Sequence, residues 1–155
     1  MRFDVICVQV GGGHTEAEPA ASVAIERFTR AEGLGAAAAI DARDRALTLT
    51  TDRSQYGLQV RSDSVPITTS GDYWLEFTMA IERGGMGVEI LDEKSAVLGS
   101  KYWCQTRPER AAGVRFHAEG GSTLRIGFRN CGIYAPLVSR FSIKDVRIFR
   151  ASPSR

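Results

Sequence analysis

Between Asp72 and Glu82 the chain reads DYWLEFTMAIE, with Tyr73, Leu75, Phe77, Met79 and Ile81 apolar at every second position. Successive side chains of a strand point to opposite faces, so a period of two sustained over this length predicts a long β-strand with one dry face. The same parity sets Trp74 beside Glu76 on the far face. A tryptophan there is either covered by further protein, such as a folded-over N-terminal arm, or is a platform for a partner.

A chain of 155 residues has room for one domain with a sizeable core, because at this length roughly 70% of the unfolded surface is buried on folding. Its 25% charged and 43% hydrophobic residues are those of a soluble protein, and no apolar run approaches the roughly 20 residues of a membrane-spanning helix. The opening MRFDVICVQVGGG interrupts its apolar residues with Asp4 and Gln9, which is unlike a secretory leader. It reads as a first strand of a protein that stays in the cytoplasm. Seventeen arginines stand against three lysines, but the net charge is only +2, so the balance does not indicate a nucleic-acid partner.

Downstream of residue 35 the pattern is all β. AAAAI, ALTLT, GLQVRS, the Trp74 strand, MGVEIL, SAVLG, GVRFHA, STLRIGF and RFSIKDVRIF alternate with DARD, TDRSQYG, TTSGD, ERGG, LDEKS, AEGG and RNCG, which supply turn residues at the spacing of an antiparallel sandwich. In the last strand Phe141 and Ile143 share one parity while Val146 and Ile148 take the other, which calls for a one-residue bulge at Lys144 and Asp145. Residues 15–33 are ambiguous: Ala21, Ala24, Ile25 and Phe28 fit a helical face, yet Val23 and Ile25 also alternate. A short helix or irregular arm is the favoured reading, with strand as the alternative.

No catalytic pattern emerges. Gly11, Gly12 and Gly13 follow a strand but lack the spacing of a phosphate-binding loop, and His14 reads as a loop residue. Glu89 and Asp92 have opposite parity, whereas Glu76 and Glu89 read as exposed, solubilising sheet glutamates rather than a glycosidase pair. Cys7, Cys104 and Cys131 are odd in number, without C-x-x-C spacing, and read as reduced thiols; Cys104 and Cys131 fall in loops and could meet. Neither cysteine–histidine chemistry nor a metal or cofactor site is expected.

What remains is an outer face. With Val114, Phe116, Leu124, Ile126 and Phe128 pointing inward, Arg115, His117, Arg125 and Arg129 point outward, as do Gln59 and Arg61 on either side of Val60. These join Trp74 and Glu76, and Tyr102, Trp103 and Tyr134 add aromatics on nearby loops. Rings that stack on sugar C–H faces beside planar, multi-donor side chains suit a polar or anionic glycan. The same residues suit a protein interface in a larger assembly, including one at a membrane.

The run from ALTLT to the Trp74 strand, then GVEILDEKSAVL, STLRIGFRN and FSIKDVRIF, resembles the galactose-binding-like, carbohydrate-binding-module type of jelly roll over about residues 34–150. Gly71, Tyr73, Leu75, Phe77 and the segment from Phe141 to Ile148 stand at the positions of that family's characteristic strands. The resemblance implies an all-β antiparallel sandwich that binds carbohydrate without catalysis, preceded by an arm over residues 1–33 and followed by a tail over 151–155. Lys144 occupies the place where the first acid of the closing pair often stands, so a structural calcium site does not carry over. An accessory interaction subunit is the alternative role.

Overall fold

In a computed structural model of the chain, the residues described are 19–31, 39–131 and 138–151. The expected first strand, Cys7, the glycine run, His14 and Tyr134 lie outside them. The described residues form strands β1 (Ala21–Ser22), β2 (Phe28–Arg30), β3 (Ala39–Arg43), β4 (Ala46–Thr50), β5 (Leu58–Ser62) and β6 (Val65–Pro66). These are followed by β7 (Gly71–Arg83), β8 (Met86–Leu91), β9 (Val97–Trp103), β10 (Arg107–Ala118), β11 (Thr123–Asn130) and β12 (Arg140–Arg150). A first sheet runs β10-β7-β12-β4-β3, with β1 added to β12. A second sheet runs β2-β5-β11-β8-β9, with β6 added to β11, and every pairing in both is antiparallel.

The long alternation is the centre of this sandwich. Tyr73, Leu75, Phe77, Met79 and Ile81 are buried in β7, which pairs with β10 on one side and β12 on the other. Phe77 is the hub between the layers, edge-on to Phe128 of the second sheet at 5.5 Å and to Trp103 at 5.9 Å. Burying such rings contributes about 1.5–3 kcal/mol each through area removed from water. The bulge in β12 falls where the parity switch demands it. Asp145 takes φ 56°, the register slips between Lys144 and Arg147, and Ile143 and Val146 both reach the core. Lys144 meets Glu109 in an ion pair.

Residues 19–31 correct the helical preference. Ala21–Ser22 pairs with Ile148 and Arg147 of the first sheet, a single 3-10 turn spans Ile25–Arg27, and Phe28–Arg30 pairs with β5 of the second. Val23, Ile25 and Phe28 are buried. The strand alternation, not the helical spacing, decides which side chains enter the core.

The cysteines are the second correction. Cys104 and Cys131 form a disulfide, with Cα atoms 5.3 Å apart. It crosses the turn between β7 and β8, where a Cβ on Gly85 would stand 2.6 Å from the Cys131 carbonyl oxygen and 2.7 Å from Cys104 Cα. Beside it, Ser139 Oγ accepts from Gly85 N at 2.9 Å and donates to Asn130 Oδ1 at 2.7 Å, so the polar groups sealed at this end are paired.

Two outer faces and the candidate functional site

The residues expected on a single face lie on two. Trp74, Glu76, Arg115 and His117 belong to the first sheet, while Arg61, Arg125 and Arg129 belong to the second, on the far side of the core. Parity predicts inward or outward but says nothing about which sheet a strand joins. Gln59 is a further correction: it is buried at 1% exposure, where its amide donates to Asp52 Oδ1 at 3.0 Å and to the Gly57 carbonyl at 3.0 Å. Its side-chain oxygen accepts from Asp52 N at 3.1 Å, so Gln59 fastens the loop before β5 and presents nothing to solvent. Tyr102 and Trp103 end strand β9 rather than sitting in a loop.

The outer face of the second sheet is ordered by register. Tyr102, Gly87, Arg129 and Leu58 stand opposite one another across β9, β8, β11 and β5. Ser100, Glu89, Gly127 and Arg61 form the next such row. Met86, Val88 and Ile90 of β8 enter the core, and the residues between them are buried too because the outer face is covered: a Cβ on Gly87 would lie 2.3 Å from the Tyr102 ring. Glu89, expected to be an exposed glutamate, has only 10% of its side chain exposed and makes a 2.5 Å ion pair with Arg129 Nε. Its other oxygen accepts from the Tyr102 hydroxyl at 2.7 Å, and Arg129 Nη1 donates to the Tyr56 carbonyl at 2.8 Å. Burial first, and then the hydrogen bond to Glu89, push the Tyr102 phenol up to about 12, so it remains a neutral donor.

Tyr56 and Tyr102 meet edge-to-face at 5.8 Å, and both are exposed, at 45% and 36%. Only one other large hydrophobic residue among those described, Val97, is exposed, so these tyrosines are the exposed aromatic pair of the described residues. Tyr56 was read only as part of a turn. Its φ of 57°, unusual for an aromatic residue, tips the ring toward the sheet, and no spacing rule would have found it. Further along β11, Arg125 Nε donates to Ser64 Oγ at 3.3 Å and helps line a notch of about 130 Å³ with Arg61, Asp92 and Glu93. Arg125 and Arg129 are four residues apart on one strand, roughly 13 Å.

The outer face of the first sheet is arranged differently. Trp74 is half-buried and lies on β10, where a Cβ on Gly113 would stand 2.4 Å from its ring. Glu76 is bound by Arg147 at 2.7 Å. At the end of the sheet Asp72 accepts from Arg115 at 2.7 Å and faces His117 Nδ1 at 3.0 Å, while His117 Nε2 lies 3.3 Å from Glu119. These are exposed pairs. The hydrogen bond to Asp72 raises the His117 pKa, and those from His117 and then Arg115 lower that of Asp72. Among the described residues no cluster of three metal-ligating side chains occurs.

No protein-family model matches the chain, and no curated protein matches it in sequence. Solved structures do resemble it. The carbohydrate binding module of Cellvibrio mixtus lichenase 5A, solved with cellotriose, aligns at a TM-score of 0.59 and 14% identity, covering 87% of this chain and all of that one. The N-terminal cellulose-binding domain of Cellulomonas fimi β-1,4-glucanase C aligns at 0.57 and 16% identity, over 89% and 93% of the two chains. A cyclase from Fischerella sp. aligns at 0.50 and 17%, over 71% of this chain and 63% of its own. At such identities the likeness is one of fold, and the chain has the jelly-roll sandwich of the carbohydrate-binding modules, as its strand pattern suggested.

Proposed function

We propose that the chain is a non-catalytic glycan-binding domain whose site is the outer face of the second sheet, centred on Tyr56 and Tyr102. The observation that carries this reading is that two exposed rings are fixed from below by a desolvated ion pair, Glu89 with Arg129. Aromatic rings held in one orientation offer flat apolar surface at low entropic cost, and pyranose C–H faces match them. Arg61, Arg125 and Ser64, further along the same face, supply donors for hydroxyls at the distance of additional sugar units.

The arrangement supports binding over hydrolysis. A glycosidase needs two carboxyls roughly 5–10 Å apart across one bond. Glu76 and Glu89 stand on opposite outer faces of the sandwich, each engaged by an arginine.

The disulfide favours an oxidising compartment over the cytoplasm, since cytosolic thiols are kept reduced. That setting suits a glycan binder better than an intracellular assembly subunit, the alternative role for the same aromatic and arginine residues.

The test is titration of the intact chain with neutral β-linked hexasaccharides, such as cellohexaose and xylohexaose, followed by amide chemical shifts. Perturbations should centre on β8, β9 and β11, and Tyr56→Ala and Tyr102→Ala should each abolish binding while the chain stays folded. Binding that survives both substitutions, or no binding to any neutral hexasaccharide, would sink this site.

A further inference from the structure

A second cavity lies around the edge of the sandwich from the tyrosines, where the free edges of the two sheets meet and where Lys101 and Trp103 flank Tyr102 on β9. Strand β9 ends the second sheet and β10 ends the first, and between them a groove of about 300 Å³ is lined by Trp74, Trp103, Lys101, Arg110 and the run Ala111–Gly113. Edge strand β10 is reduced to alanine and glycine over that run. With so thin a strand between them, the indole from the outer face and the indole from the inter-sheet layer both border one space: Trp74 lies over Gly113, and Trp103 stands edge-on to Phe77. The bulge between Arg107 and Arg110 shifts the register here and leaves Arg110 exposed at the rim.

The charges at this groove do not cancel. Glu76, the acid that lines it, is bound by Arg147. Lys101 sits 5.3 Å from the Trp103 ring centroid, a contact that orients the ammonium without neutralising it. Two cations, Lys101 and Arg110, therefore flank two indoles with no unengaged carboxylate among the lining residues. The occupant that fits is flat and apolar on its faces and carries an anion at its edge.

We infer that this groove is a second glycan site, for a pyranose bearing a carboxylate, with the sugar ring against Trp74 and Trp103 and the carboxylate against Arg110 and Lys101. The inference extends the glycan-binding reading but uses none of the residues of the tyrosine face. A chain with both sites can hold two glycan segments at once, one neutral and one acidic. Two sites on one rigid body raise overall affinity for a surface that displays both.

The probe is trigalacturonate, titrated into the intact chain by calorimetry and by tryptophan fluorescence. Trigalacturonate should quench tryptophan emission and bind more weakly as salt is raised, because the contact is between charges near the surface. Arg110→Glu should weaken binding roughly tenfold or more, since it replaces a charge-assisted hydrogen bond with repulsion. That residue is exposed, so the variant reverses a charge without removing a buried side chain. Trp74→Ala should weaken binding comparably, while Tyr102→Ala should leave it unchanged. Failure to bind trigalacturonate, unchanged affinity in Arg110→Glu, or loss of binding in Tyr102→Ala would each overturn the second site. The neutral hexasaccharides report separately on the first, so either site can fail alone.

Discussion

The two outer faces of the sandwich both lay an aromatic ring on a glycine of a neighbouring strand, Tyr102 on Gly87 in the second sheet and Trp74 on Gly113 in the first. They differ in what holds the ring and in how the charges nearby are treated. Beneath the tyrosines the ion pair of Glu89 and Arg129 is largely shielded from water, with side chains 10% and 26% exposed. On the tryptophan side the corresponding pair, Glu76 with Arg147, is 34% and 45% exposed. One face has its polar residues drawn into the fabric of the sheet. The other leaves its ion pair partly in solvent at the surface of the sheet.

The largest expected effect removes what the two faces share. Phe77→Ala should destabilise the fold by roughly 3–5 kcal/mol, because the ring it deletes touches both sheets and leaves a cavity. Chemical denaturation measures it. A loss no greater than that of a surface substitution would mean the sheets are packed some other way.

The next experiment sets the two ion pairs against each other. Glu89→Ala leaves Arg129 without its partner and should cost roughly 2–3 kcal/mol, toward the lower side for a broken buried pair because Arg129 retains some exposure. Arg147→Ala should cost less than about 1 kcal/mol, as exposed pairs do. Equal losses in the two variants would erase the distinction between the faces.

The smallest effect is at the end of the first sheet, where His117 faces Asp72 and Glu119, and Arg115 shares Asp72. A histidine whose pKa is raised in the folded state contributes stability below its unfolded value, near the 6.5 of a free imidazole, and loses that contribution as pH rises through the folded value. Asp72, lowered, contributes above its ordinary range and loses its contribution on acidification. Warming the protein at about pH 5.5 and at about pH 8.5 should thus show a slightly lower melting temperature at the higher pH. His117→Ala should remove the part due to His117. A histidine contribution that grows with pH would contradict the geometry.

How much of this was legible in the sequence follows from which forces are local. The alternation from Tyr73 to Ile81 and the parity switch at Lys144 and Asp145 are properties of consecutive residues, and both appear in the structure as read. Sheet membership depends on pairings between distant strands, which is why Arg125 and Arg129 were placed beside Trp74 when the core divides them. Gln59 alternates correctly but is claimed by Asp52 and Gly57, a competition that parity does not encode. Glu89 looked like a solubilising residue because its cover, Tyr102 and Arg129, arrives from other strands. Tyr56 owes its position to a turn conformation, and Cys104 and Cys131 owe theirs to the packing of the β7–β8 turn against the end of β11.

The ring-on-glycine contacts also bear on how this chain can drift. Alanine at 113 would collide with the indole of Trp74, and alanine at 87 would collide with the Tyr102 ring, so neither glycine can change first while its aromatic partner stays in place. Replacing the aromatic first uncovers backbone but clashes with nothing. At 87 one order of substitution is open, aromatic and then glycine, because the atoms crowding that position belong to the Tyr102 ring; at 113 the Leu75 carbonyl oxygen would also stand 2.6 Å from a new Cβ and holds the glycine in place even after Trp74 is lost. Descendants that have lost Tyr102 are free to fill position 87, and once they have done so the return path is closed. The two faces can lose their rings independently but not alike: at 113 the way back to an aromatic stays open, while at 87 it stays open only as long as the glycine does.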